Sequence, residues 1–239
     1  MAKQYWYIIL TYVFAQFSGL LFGHKVFEAI GLSREDAFIW WTIFAFGSGL
    51  IVVFFLLRSA GQSSFEERDR PSFLSSFFWA IGGIFLALFA QNIAAVIEVY
   101  VFNVELGSEN TDALYQITQI SPFFIIVTSL LGPIYEEVIF RKIIFGELIK
   151  RTNFWLSALI SAVIFGAIHF ENEHLLIYSS MGLVFAFLYY KTKRIWVPIT
   201  AHVMMNSFVI LIRFLNPEQF EKIQQEIETA QSFIGGLFL

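Results

Sequence analysis

The chain has 239 residues, of which 57% are hydrophobic, 19% aromatic and only 14% charged. A soluble domain is nearer a quarter charged and under half apolar, so these residues cannot supply a water-facing surface, and soluble enzyme, nucleic-acid binder and disordered linker are excluded. The net charge of −4 offers no basic face for nucleic acid, and the lack of cysteine removes disulfides, thiol catalysis and thiolate metal sites.

Crossing a bilayer core of roughly 30 Å takes about 20 apolar residues in a helix. In chain order, seven apolar runs answer to that description: Tyr5–Phe22, Ala37–Leu57, Phe73–Ile97, Pro122–Phe145, Trp155–Phe170, Leu175–Tyr190 and Trp196–Leu215. The fifth and sixth are short, which suits helices shielded inside a bundle. No small-residue cleavage site follows the first run, which is read as a retained helix and not a removed signal peptide. Arg58–Ser72 reads as a loop between spans, and Glu98–Gln119, acidic without one Lys or Arg, as an exported loop. Eleven of the fifteen Lys and Arg fall on the side of the N-terminus, leaving Lys25, Arg34, Arg213 and Lys222 opposite, which predicts N-terminus inside and C-terminus outside. Residues Pro217–Gln231 alternate charge with Phe220, Ile223 and Ile227 at helical spacing and predict a short amphipathic helix on the outer face. The expected fold is all-α: a polytopic transmembrane helix bundle of about seven spans, one integral-membrane domain over residues 1–239.

Ionisable residues inside a span are costly and point to function. The fourth span contains Gly132-Pro133-Ile134-Tyr135-Glu136-Glu137-Val138-Ile139-Phe140-Arg141, the fifth ends in Phe165-Gly166-Ala167-Ile168-His169, and the seventh holds His202-Val203-Met204-Met205-Asn206. Neighbours on a helix differ by about 100°, so Glu136 and Glu137 cannot both point into one site without distortion. Glu137 and Arg141, four apart with the acid first, predict an ion pair along one face, which leaves Glu136 as the free carboxylate. His202 and Asn206 share a face. Gly132-Pro133, one turn before the acids, is expected to weaken the helix there. Counted from the middle of each run, Glu136, His202 and Asn206 fall within ~5 Å of the midplane, with His169 about 10 Å toward the outside. His24 and His174 lie near span ends and read as interface or loop residues.

A carboxylate and an imidazole in a dry cavity can share the deprotonation of a water that attacks an amide carbonyl, while a second imidazole and an amide N–H stabilise the resulting oxyanion. Glu136, His169, His202 and Asn206 supply those parts. Alternatively Glu136, His169 and His202 are adequate as a three-ligand zinc site with an open position for water. The metal-free reading is preferred, because His-Glu-x-x-His is absent and Glu137 would have to leave Arg141 to serve as base.

The three motifs, Glu-Glu-x-x-x-Arg, Phe-x-x-x-His and His-x-x-x-Asn, resemble those of the CAAX protease and bacteriocin-processing (CPBP, Abi) family, which includes the type II CAAX prenyl endopeptidases. They stand in family order between Glu136 and Asn206, and the catalytic core is expected at about 117–215. The resemblance implies an intramembrane endopeptidase in which Glu136 with His169 activates water, His202 with Asn206 forms the oxyanion hole, and Glu137 and Arg141 orient. The implied partners are membrane lipid and a peptide or protein substrate, either prenylated or a bacteriocin-like precursor, with no nucleic acid. The compact length and absence of cysteine point to a bacterial cell membrane. A competing expectation is a non-catalytic immunity or regulatory protein that binds a peptide with the same fold.

Overall fold

The protein is described here by a computed structural model of residues 2–216, apart from 62, 68 and 106. All regular structure in the described residues is helical. We number the helices α1 (Lys3–Glu28), α2 (Arg34–Ala60), α3 (Ser64–Glu67), α4 (Phe73–Phe102), α5 (Glu109–Ile120), α6 (Pro122–Leu148), α7 (Phe154–Ala167), α8 (Leu175–Thr192) and α9 (Trp196–Leu215). Counting α8 with the turn at Asn172–His174 before it, six of these are long and apolar enough to cross a membrane, and the 14-residue α7 is shorter. The amphipathic helix expected at Pro217–Gln231 lies outside the described residues.

Local chemistry sets the ends of these helices. Ser33, Ser72 and Asn153 each accept a backbone N–H three residues on, capping α2, α4 and α7. Asn103 and Lys193 end α4 and α8 in the left-handed conformation that closes a helix C-terminus. Large apolar side chains such as Phe85, Phe89 and Trp155 point outward, as lipid contact demands.

Close approach inside the bundle comes from small residues, since apolar burial alone does not drive helices together in lipid. On α4, Ser76, Ala80, Gly83, Ala87 and Ala94 form a buried stripe, and the helix packs against α8 and α9. Gly182 of α8 lies so near α7 that a Cβ there would stand 2.9 Å from the Cα of Ala162. Backbone cannot retreat as a flexible side chain can, so Gly182→Ala is expected to destabilise the protein by about 1–3 kcal/mol, read as a lowered unfolding midpoint in detergent.

Several expectations need correction. The sixth run is not short, because the helical segment extends over Asn172–Thr192. Glu98 is not in an exported loop: α4 continues to Phe102, and the Glu98 carboxylate is buried, bonded to His174 Nδ1 at 2.9 Å and to the backbone N–H of Ile177 at 3.0 Å. Part of the remaining connection forms α5, whose Asp112 pairs with Arg213 of α9. His24 is a buried residue of α1, its Nδ1–H donating to Gly19 O. The segment after α2 is tied to the bundle by Glu66, which is buried and accepts from Lys142 Nζ at 2.6 Å and Tyr189 Oη at 2.9 Å. Burial pushes the Glu66 carboxyl up, but the Lys142 ammonium, the Ser63 N–H and the Tyr189 hydroxyl together hold it below its ordinary value. Its contribution to stability is therefore complete above the ordinary carboxylate range and is lost as pH falls through the depressed value.

Candidate active site

The polar residues of the fourth span sit on an irregular helix. Within α6, Ile126–Leu131 and Glu137–Phe145 are π-helical, with a short α-helical segment Gly132–Glu136 between them. Pro133 has no N–H to give to an i−4 carbonyl, so regular winding cannot pass through it. Extra residues per turn of this kind concentrate at functional sites because they re-aim side chains.

The consequence is visible at the two glutamates. Glu136 and Glu137 do not point to one place, yet both reach His202: Glu137 Oε1 lies 2.9 Å from Nδ1, and Glu136 Oε2 lies 3.8 Å from Nε2. Distortion at the α-to-π junction lets adjacent carboxylates bracket one imidazole. Their exposures differ: the Glu137 side chain is 0% exposed and the Glu136 side chain 17%, so Glu136 is the one a small molecule can reach.

Glu137 also makes the ion pair that its spacing predicts. Arg141 Nε stands 3.2 Å from Glu137 Oε2, with both side chains fully buried. The two atoms are not aligned as a hydrogen bond, so the contact is Coulombic. One remaining guanidinium nitrogen donates weakly to Gly182 O at 3.4 Å, and the plane is sheltered by the rings of Phe165 (4.3 Å) and Phe185 (5.2 Å).

Both histidines donate from Nδ1. His169 Nδ1 faces the Phe165 carbonyl oxygen at 2.8 Å, and a carbonyl can only accept, so Nδ1 carries hydrogen and Nε2 offers a lone pair. His202 Nδ1 likewise donates to the Glu137 carboxylate. The ring of His202 stacks on Phe185 (4.6 Å, 20°), and the ring of Phe165 packs edge-on against both His169 (4.9 Å) and His202 (5.9 Å). His169, expected from span counting to lie far toward the outside, is thus one aromatic ring away from His202. Its link to the cluster is ring packing, within electrostatic reach of Glu136. Asn206 lies one turn beyond His202, its amide donating at 3.5 Å to the carbonyl of Thr128 on α6.

Among the described residues no three His, Asp or Glu are grouped as donors to one metal ion. His202 Nδ1 and Glu137 are engaged with each other, and a cation at Glu137 would meet the buried Arg141 guanidinium.

Two aromatic residues escape sequence reasoning. Tyr12 of α1 packs at a tilt against Tyr135 (5.4 Å, 38°), the residue before Glu136, and stands within electrostatic reach of that carboxylate. Tyr178 of α8 stacks on His169. A tyrosine in an apolar span carries no signal that separates packing from function. Phe165 had one, as the first residue of Phe-x-x-x-His.

Sequence comparison gives this arrangement its relatives. The family model described as type II CAAX prenyl endopeptidase Rce1-like matches residues 118–208. YdiL of Bacillus subtilis (strain 168), which carries the name of a membrane peptidase, is 46% identical over 246 residues covering 100% of both chains. This chain belongs to the CAAX protease family. It is also 28% identical to the membrane-embedded CAAX protease MroQ of Staphylococcus aureus (strain USA300), over 97% of this chain and 96% of that one. No solved structure matches it. Family membership and the apolar helices together make this an integral membrane protein of a protease family.

Proposed function

We propose that this CAAX-family member hydrolyses a peptide bond of a membrane-associated substrate by metal-free water activation, with Glu136 and His169 as the bases and His202 and Asn206 as the oxyanion hole. The observation that carries the proposal is the bracketing of His202 by two carboxylates of unequal exposure. Glu137, buried and paired to Arg141, orients the imidazole, while Glu136 is left reachable for chemistry.

The reaction follows from those positions. Glu136, assisted by the Nε2 lone pair of His169, takes a proton from water as the oxygen attacks the scissile carbonyl. The electron pair of the C=O bond moves to oxygen, and this oxyanion accepts hydrogen bonds from His202 Nε2, when that nitrogen carries a proton, and from the Asn206 amide. The long bond from Asn206 to Thr128 O costs little to exchange for an oxyanion. The C–N bond breaks as the abstracted proton passes to the leaving nitrogen, giving a carboxylic acid and an amine.

The substrate class proposed is a peptide or protein held at the membrane, either prenylated near its C-terminus or a bacteriocin-like precursor, in a bacterial cell membrane with the N-terminus of the enzyme inside. The test uses the full chain in detergent with matched peptides that carry or lack a farnesyl group. Cleavage faster by about tenfold or more with the lipid identifies a prenylated substrate, equal rates identify an unmodified apolar precursor, and cleavage of neither, across a panel of amphipathic sequences, contradicts the proposal.

A further inference from the structure

His169 follows the last residue of α7, Ala167, by two positions and lies in the turn that ends the helix. The next residue, Phe170, is in the left-handed region at φ +58°, unusual for a side chain of that size and enough to turn the chain sharply. Water activation by an imidazole nevertheless requires the ring to be held to a fraction of an ångström. Its bond to Phe165 O restrains one nitrogen, and the Phe165 ring meets it edge-on, which leaves one face of the imidazole to be held.

The remaining restraint comes from α8. The ring of Tyr178 lies face to face with His169, centroids 3.9 Å apart and planes 19° from parallel. Tyr178 is itself locked, because its hydroxyl donates to Glu171 Oε2 at 2.7 Å. Glu171 is fixed in turn by the Ser108 hydroxyl, at 2.8 and 3.0 Å from its two carboxylate oxygens. The sharp turn at Phe170 is what brings Glu171 back under Tyr178.

We propose that Tyr178, anchored by Glu171, is a positioning residue that holds the plane of the His169 ring, and with it the bond to Phe165 O that sets its tautomer, for water activation. The proposal rests on the reading of His169 as a water-activating base. Neither residue belongs to the three motifs. A ring face presented to His169 also favours the imidazolium that forms once the histidine has taken a proton, and a phenol bonded to a carboxylate has the more electron-rich face.

The test compares Tyr178→Phe, which keeps the ring and drops the anchor, with Tyr178→Leu, which drops both. The expected result is a fall in kcat of roughly threefold for the first and roughly thirtyfold for the second, with KM unchanged within about twofold. A role in folding alone would move the unfolding temperature and not that split. A second readout needs no substrate: 15N NMR of the side chains of the four histidines, assigned by single replacements. The native chain and Tyr178→Phe should show His169 with hydrogen on Nδ1, and Tyr178→Leu a shift averaged between tautomers. An unaltered His169 tautomer and unaltered kcat in Tyr178→Leu would overturn the proposal, as would a raised KM with kcat intact. Should the native chain cleave nothing, the protease reading fails while the NMR still decides whether Tyr178 positions His169.

Discussion

Replacing Glu136 with glutamine is expected to lower kcat by about 10²- to 10⁴-fold, the range a general base contributes, while leaving the unfolding temperature nearly unchanged. The amide is almost isosteric with the carboxylate but cannot take a proton from water. Stability should survive because the 3.8 Å contact from Glu136 to His202 is long, and His202 keeps its bond to Glu137 and its stack on Phe185. Initial rates on a peptide cleaved by the native chain, set beside thermal unfolding in the same detergent, give both quantities. A protein that only binds a peptide would keep its function in Glu136→Gln, so the same variant separates enzyme from immunity or regulatory protein.

The second large effect is on stability. Arg141→Met removes one partner of a fully buried pair and leaves Glu137 charged without its counter-ion, which should cost about 3–5 kcal/mol. Methionine retains much of the volume between Phe165 and Phe185, so the loss reports charge more than packing. The double variant Glu137→Gln, Arg141→Met should recover at least half of that loss, since no unpaired charge remains buried. It should nevertheless stay poorly active, because Glu137 also holds Nδ1 of His202. Unfolding by denaturant in detergent measures the cycle, and a loss below about 1 kcal/mol for Arg141→Met would contradict a stabilising role for the pair.

Much of the helix inventory was legible, because runs such as Ala37–Leu57 and Trp196–Leu215 are long, apolar and bounded by charge. Glu98 was misplaced for a physical reason: its partners, His174 and the N–H of Ile177, are more than seventy residues away, and nothing local signals a satisfied carboxylate. Helix α5 was missed because it is too polar to cross a membrane. The Glu137–Arg141 pair followed from the i, i+4 rule, and it formed although the segment is π-helical. The 100° spacing of neighbours allowed Glu136 and Glu137 a common site only with distortion, and the helix supplies it. A period of 3.6 residues keeps adjacent acids apart, whereas the α-to-π junction beside them lets both reach one imidazole; Pro133 was the sequence sign of that irregularity. The residues around His169 were the least legible, since a stack between a turn and a neighbouring helix depends on packing that periodicity does not describe.

The most direct measurement is the cleavage rate of one peptide by the purified native chain before and after exhaustive chelation, with the bound metal counted by mass spectrometry in the same sample. A glutamate-and-histidine site keeps its full rate with less than about one metal per ten chains, and loses that rate in Glu136→Gln. Activity that disappears with the metal and returns in proportion to added zinc would contradict water activation by Glu136 and His169 and make Glu136, His169 and His202 ligands instead.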